Sequence, residues 1–168
     1  MIRALVLAVL VLVNFALQTT IFPHFAIFGV IPDTALIFIV SYAILRGEIE
    51  GAIFGFFTGL VHDIMGGMVI GFFALLGLLT GYICGKPFRD FFKDNYFLPF
   101  FVVVVACVAY QIAIYAATQM IFGRLEFWTY AGSIILPKTI YTASLSVPLY
   151  SLLHFINARL ERVGAIDA

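Results

Sequence analysis

The stretch that decides the fold runs from Arg46 to Gly85 and reads RGEIEGAIFGFFTGLVHDIMGGMVIGFFALLGLLTGYICG. It is apolar except for a charged opening and one ionisable pair, His62 and Asp63. Its two series of glycines, each in four-residue steps, are Gly51, Gly55, Gly59 and Gly77, Gly81, Gly85. Glycines four residues apart lie on one face of an α-helix, where the missing side chains let another helix backbone approach closely. The stretch therefore predicts two hydrophobic helices that pack through their glycines.

Two roles remain open for these small residues. The glycines can hold the chain's own helices together, or they can contact a helix of a partner protein. Ala4 and Ala8 present a similar small face on the first apolar segment, where a contact with another protein is as plausible as an internal one. We therefore treat Gly51, Gly55, Gly59, Gly77, Gly81, Ala4 and Ala8 as helix-packing or partner-binding residues.

Composition indicates a membrane protein. Hydrophobic residues make up 64% of the 168 residues and charged residues only 11%, and the mean hydropathy is +1.13. Charged residues usually form about a quarter of a soluble domain, which needs them to cover its surface. The sequence therefore predicts an all-α integral membrane protein with a single transmembrane domain over residues 1–168.

Six apolar segments account for the chain, and the last is followed by a short cytoplasmic tail. Two of them are too short to span a bilayer comfortably, so they predict either short helices buried in the bundle or a re-entrant hairpin. Those two are Thr34–Leu45 and Ile49–Val61. The others are Ala4–Phe22, Met68–Cys84, Leu98–Phe122 and a run from near Ser133 and Pro137 to near Phe155.

Lysine and arginine placement predicts the orientation. Arg124 falls on one side of the six segments, and Lys138 just inside the last of them can extend toward the interface. The residues on the other side are Arg3, Arg46, Lys86, Arg89, Lys93, Arg159 and Arg162. Since cytoplasmic loops are enriched in these cations, both termini are predicted to be cytoplasmic.

The polar residues in this apolar chain are candidates for contacts at its two ends. Asp33, His62 and Asp63 fall on the predicted outer face, where they either cap helix ends or contact a ligand or partner. Arg46 and Glu50 belong to a charged cytoplasmic turn that is either solvated or a docking point.

Patterns for catalysis or cofactor binding are absent from the sequence. The glycines lie inside apolar segments rather than in a phosphate-binding loop, and the three histidines do not form a metal-ligand set. Ser144 and Ser146 have no histidine placed by sequence to activate them. We expect no enzyme activity, no cofactor, no metal and no nucleic-acid partner.

Several motifs resemble the MreD family of bacterial rod shape-determining proteins. They are Ile31-Pro32-Asp33, Leu45-Arg46-Gly47 followed by Glu50-Gly51, Gly55-Phe56-Phe57-Thr58-Gly59-Leu60 before His62-Asp63, and Gly71 through Gly81-Tyr82. Family members commonly have an acidic residue where Asp63 stands, but often glutamine or another polar residue where this chain has His62. The resemblance gives no role to His62, and the carboxy-terminal half matches mainly by hydropathy.

The resemblance implies a non-catalytic subunit of the cell-elongation complex in the bacterial cytoplasmic membrane. Such a subunit binds MreC, works with MreB, RodA and a class B penicillin-binding protein, and supports lateral peptidoglycan synthesis. It also implies a fold similar to the substrate-binding membrane subunits of energy-coupling-factor transporters. That likeness supplies the alternative function, a vitamin-binding transporter subunit.

Overall fold

The computed structural model describes residues 2–21, 31–66, 71–86, 97–122 and 130–164. Side chains are described over a narrower set, 9–16, 18–20, 31–65, 71–86, 100–117 and 130–155. The predicted site residues Ala4 and Ala8 belong to the first helix, but their side chains lie outside this set.

The described residues form six α-helices, which confirms the prediction of an all-α chain. Two π-helical turns, Leu17–Ile21 and Ala131–Ile135, follow the first helix and precede the last. The α-helices are α1 (Ile2–Ala16), α2 (Thr34–Arg46), α3 (Glu48–Gly66), α4 (Phe72–Gly85), α5 (Phe97–Phe122) and α6 (Leu136–Gly164). Helix α3 extends past the predicted end at Val61, and α6 continues well past Phe155.

One helix in the described part of the chain is both long and apolar enough to cross a membrane. Its apolar window, Phe100–Ala117, lies in α5. Three shorter apolar stretches, Val9–Thr20, Thr34–Arg46 and Phe72–Gly85, have the composition of membrane helices but not the length.

Helix α2 forms the centre of the bundle. Every residue from Thr34 to Ile44 is buried, and the helix contacts α1, α3, α4, α5 and α6. One side packs on Val103 and Cys107 of α5, and another packs on Phe54 of α3 and on α1. At ~1.5 Å per residue, its 13 residues span only ~20 Å. The segment predicted at Thr34–Leu45 is therefore a short helix that is buried among the other helices of the bundle.

A tight turn at Gly47 joins α2 to α3. Gly47 has φ 98°, a value that suits glycine because it has no Cβ. Its N–H donates to the Ala43 carbonyl at 2.8 Å, which ends α2. The Tyr42 hydroxyl donates to Oε2 of Glu50 at 3.3 Å, and the Tyr42 ring stacks on Phe54 at a centroid distance of 4.9 Å. These contacts hold α2 and α3 as a helical hairpin.

Candidate functional site

The predicted glycine faces meet each other in one antiparallel contact, which we call the glycine seam. Gly55 of α3 faces Gly77 of α4, and a Cβ added at either glycine would overlap the other's carbonyl oxygen. Four residues before Gly55, Gly51 faces Gly81, four residues after Gly77. The remaining contacts along the same line are Gly59 with Phe73 and Gly85 with Glu48. The seam brings the α3 and α4 backbones into direct contact.

The seam also reaches the central helix. A Cβ added at Gly51 would lie 2.5 Å from the Ala43 Cβ of α2, and one at Gly55 would lie 3.3 Å from Cγ2 of Ile39. The glycine faces are therefore covered by this chain's own helices. A partner helix would have to bind elsewhere on α3 and α4.

Asp63 lies in the last turn of α3 and caps the start of α4. Its carboxylate accepts from the backbone N–H of Phe73 at 3.1 Å through Oδ1 and of Ala74 at 2.9 Å through Oδ2. The residue at the N-cap of α4, Gly71, has φ 95° and no side chain with which to cap. The first N–H groups of a helix lack intrahelical partners and carry partial positive charge. The buried carboxylate from α3 therefore supplies both the hydrogen-bond acceptors and the negative charge that stabilise the start of α4. Asp63 is only 3% exposed, so this contact is internal.

We expect Asp63→Asn to weaken this cap and Asp63→Leu to weaken it more. Asparagine keeps one acceptor oxygen but turns an NH₂ group toward a backbone donor, whereas leucine leaves both N–H groups unpaired. The losses should be about 1–2 and about 3 kcal/mol, from the usual worth of a cap and of buried unpaired donors. Thermal unfolding of the purified variants in one detergent measures both. Equal loss of stability in the two variants would instead indicate that the cap requires the negative charge itself.

His62, the neighbour of Asp63, joins α3 to the π-helical turn that follows α1. Its Nε2 lies 3.0 Å from Oε1 of Gln18, and its ring is tilted against Phe73 at 5.8 Å. An open cleft of about 250 Å³ adjoins this pair. Its lining residues are Phe15, Gln18, Thr19, His62, Met65 and Phe73.

Two further polar side chains lie one helical turn from this pair. Asn14 and Thr58 precede Gln18 and His62 by four residues and are 1% and 2% exposed. Oδ1 of Asn14 and Oγ1 of Thr58 have no hydrogen-bond partner. Each of the two segments joined by the Gln18–His62 contact thus carries a further buried polar side chain one turn earlier.

Asp33 lies at the start of α2 and binds α6. Its Oδ1 accepts from the Leu36 N–H at 3.2 Å as the helix N-cap, and its own N–H donates to Oγ1 of Thr142 at 3.1 Å. Oδ2 lies 3.3 Å from Nζ of Lys138. The sequence predicted that Lys138 can extend toward the interface; the structure adds that its ammonium, 22% exposed, pairs with the nearly buried Asp33 carboxylate. Sequence reasoning missed this pair, since it joins residues more than 100 positions apart.

These contacts lie at one end of the bundle, which we call the Asp63 end. It comprises the ends of α1 and α3 and the starts of α2, α4 and α6. The polar residues at this end include Gln18, Asp33, His62, Asp63 and Lys138. Arg124, predicted to lie on the outer side, is outside the described residues.

The charged turn at the opposite end contains Arg46 and Glu50. Glu50 accepts from Tyr42 within the hairpin, whereas the Nε of Arg46 is buried without a hydrogen-bond partner. The side chains of Arg89 and Lys93, expected on the same side, are not among those described.

The described serine hydroxyls and metal-ligand residues bear on whether this region has the patterns that catalysis or metal binding needs. The hydroxyls of Ser144 and Ser146 donate to carbonyls of their own helix, at 2.9 Å to Ile140 and 2.7 Å to Ala143. Over the described ranges, no three histidine, cysteine or carboxylate side chains are grouped to hold a metal.

Comparison with known proteins identifies a family for this chain. The family model for the rod shape-determining protein MreD matches residues 1–157, nearly the whole chain. No curated protein and no solved structure matches this chain. The predicted likeness to energy-coupling-factor subunits therefore has no support from the comparisons. Since the family match covers all six helices almost completely, the chain belongs to the MreD family of rod shape-determining proteins.

Proposed function

We propose that this chain is a non-catalytic membrane subunit of the bacterial cell-elongation complex that binds MreC directly. In this role it supports lateral peptidoglycan synthesis and cell-shape maintenance, with MreB, RodA and a class B penicillin-binding protein in the same complex. The observation that carries the proposal is the family match over residues 1–157. The polar groups of the Asp63 end favour it too, because Asp33 and Asp63 are used in contacts within the chain rather than held around a substrate.

The proposed location is the cytoplasmic membrane, crossed several times by one transmembrane domain, with both termini in the cytoplasm. The basic residues of the sequence support this orientation, since they gather on one side of the apolar segments. The helix directions agree with this orientation. The Gly47 turn reverses the chain between α2 and α3, and the glycine seam is antiparallel, so α2, α3 and α4 alternate in direction. In this orientation the Asp63 end faces outward and the Arg46 turn faces the cytoplasm.

Affinity purification of the tagged chain from native membranes in mild detergent tests the proposed function. We expect MreC to be enriched at least about tenfold over its recovery with an unrelated multi-pass control, a difference of about 1.4 kcal/mol in apparent binding. Elongation enzymes should follow with lower recovery. Recovery of an energy-coupling ATPase pair and a bound vitamin, without MreC, would overturn the proposal in favour of transport.

A further inference from the structure

The cleft at the Asp63 end has walls suited to an aromatic ring. Its volume is about 250 Å³, and four of its lining side chains are the rings of Phe15, Phe73 and His62 and the thioether of Met65. Aromatic rings pack favourably on other rings and against methionine sulfur. The cleft is open to the outside of the bundle, since Met65 is 62% exposed. A side chain from another molecule can therefore enter it.

The hydrogen-bonding groups of the cleft suit an occupant whose ring carries a polar group. The Gln18 amide and the His62 imidazole share one hydrogen bond, with 3.0 Å between Oε1 and Nε2, and each keeps a second polar group, the amide NH₂ and the ring Nδ1. The Thr19 hydroxyl donates to the Phe15 carbonyl at 2.9 Å. The NH₂ group of Gln18 adds a donor. An indole N–H can donate to the imidazole, and a phenol can both donate to it and accept from the amide.

The level of the cleft in the membrane suits a tryptophan or tyrosine side chain. Helix α3 has 19 residues and is ~28 Å long at ~1.5 Å per residue, close to the ~30 Å hydrocarbon core. His62 lies four residues before its end, ~6 Å from the membrane boundary in the proposed orientation. Tryptophan and tyrosine are enriched at this level, where one side of the ring meets hydrocarbon and the polar group meets hydrogen-bonding partners.

We propose that this cleft receives a tryptophan or tyrosine side chain from the outer end of a partner's transmembrane helix. The inference rests on the proposed function, since the partner is the membrane-anchored protein bound by this chain. A lipid ester is a poorer occupant, because its carbonyl can accept from the Gln18 NH₂ group but it has no ring to pack on Phe15, His62 and Phe73. A phenylalanine could pack on the same rings but would make no hydrogen bond to the Gln18–His62 pair.

A matched pair of substitutions on α3 tests the proposal. Met65→Trp places a large ring in the cleft, whereas Ile64→Trp places the same ring on a neighbouring residue that is 72% exposed and does not line it. With the full-length chain and MreC coexpressed, Met65→Trp should lower MreC recovery at least about tenfold, the loss expected when a buried aromatic anchor is excluded. Ile64→Trp should leave recovery within about twofold of wild type, as for an exposed site outside a hot spot.

The outcomes separate this inference from the proposed function. If the unaltered chain fails to recover MreC, the proposed function fails. If it recovers MreC and the two tryptophan variants recover it equally well, only the aromatic anchor is excluded. A diazirine amino acid placed at position 65 supplies a second readout that does not depend on the stability of Met65→Trp. Crosslinking to a tryptophan- or tyrosine-containing segment of MreC supports the proposal, and crosslinking only to lipid overturns it.

Discussion

Gly55→Ala is expected to prevent stable packing of α3 against α4. The added Cβ would overlap the Gly77 carbonyl oxygen, and the group in its way is helix backbone rather than the end of a flexible side chain. Two backbones would have to separate along the whole glycine seam, which would also disturb the contact with Ile39 of α2. We expect a loss of at least about 3 kcal/mol, the upper end for overpacked cores. Yield of monodisperse protein and the unfolding midpoint in detergent measure it.

Gly132→Ala is the matched control for this variant. Gly132 is exposed, and a Cβ added there meets no atom within 4 Å. Alanine has the higher helix propensity, so this change should be neutral or stabilising by up to about 1 kcal/mol. If Gly55→Ala and Gly132→Ala purify and unfold alike, the seam is not close-packed and our account of the α3–α4 contact is wrong.

Removing Lys138 is expected to have the second large effect. In Lys138→Met the Asp33 carboxylate stays buried between α2 and α6 without its cation, and breaking a buried ion pair in this way costs about 3–5 kcal/mol. Asp33→Asn should cost less, about 1–2 kcal/mol, because asparagine still caps α2 and the Lys138 ammonium, 22% exposed, can extend toward the interface. Unfolding of both variants under one set of detergent conditions gives the comparison.

The double variant Asp33→Asn/Lys138→Met completes this test. Because asparagine does not leave an unpaired charge, the double variant should be more stable than Lys138→Met alone, with a coupling of about 1–3 kcal/mol. Purely additive losses would mean that the 3.3 Å contact contributes no net interaction.

The amino-acid sequence by itself determined the class of the chain and its segments. Composition and apolar run lengths predicted an all-α chain of six helices, and the four-residue spacing of the glycines predicted two small-residue faces. The motifs around Asp33, Arg46 and Gly55 led to the family that the comparison then showed. These properties are local, because helix periodicity and hydropathy can be evaluated within a window of some twenty residues.

Only the tertiary structure decided which residues meet. It matched Gly55 to Gly77, brought Asp63 onto the start of α4, paired Lys138 with Asp33 and placed His62 beside Gln18. Each of these contacts depends on how far one helix slides and rotates against another. That register is set by side-chain and backbone packing between distant segments, and a hydropathy pattern does not specify it.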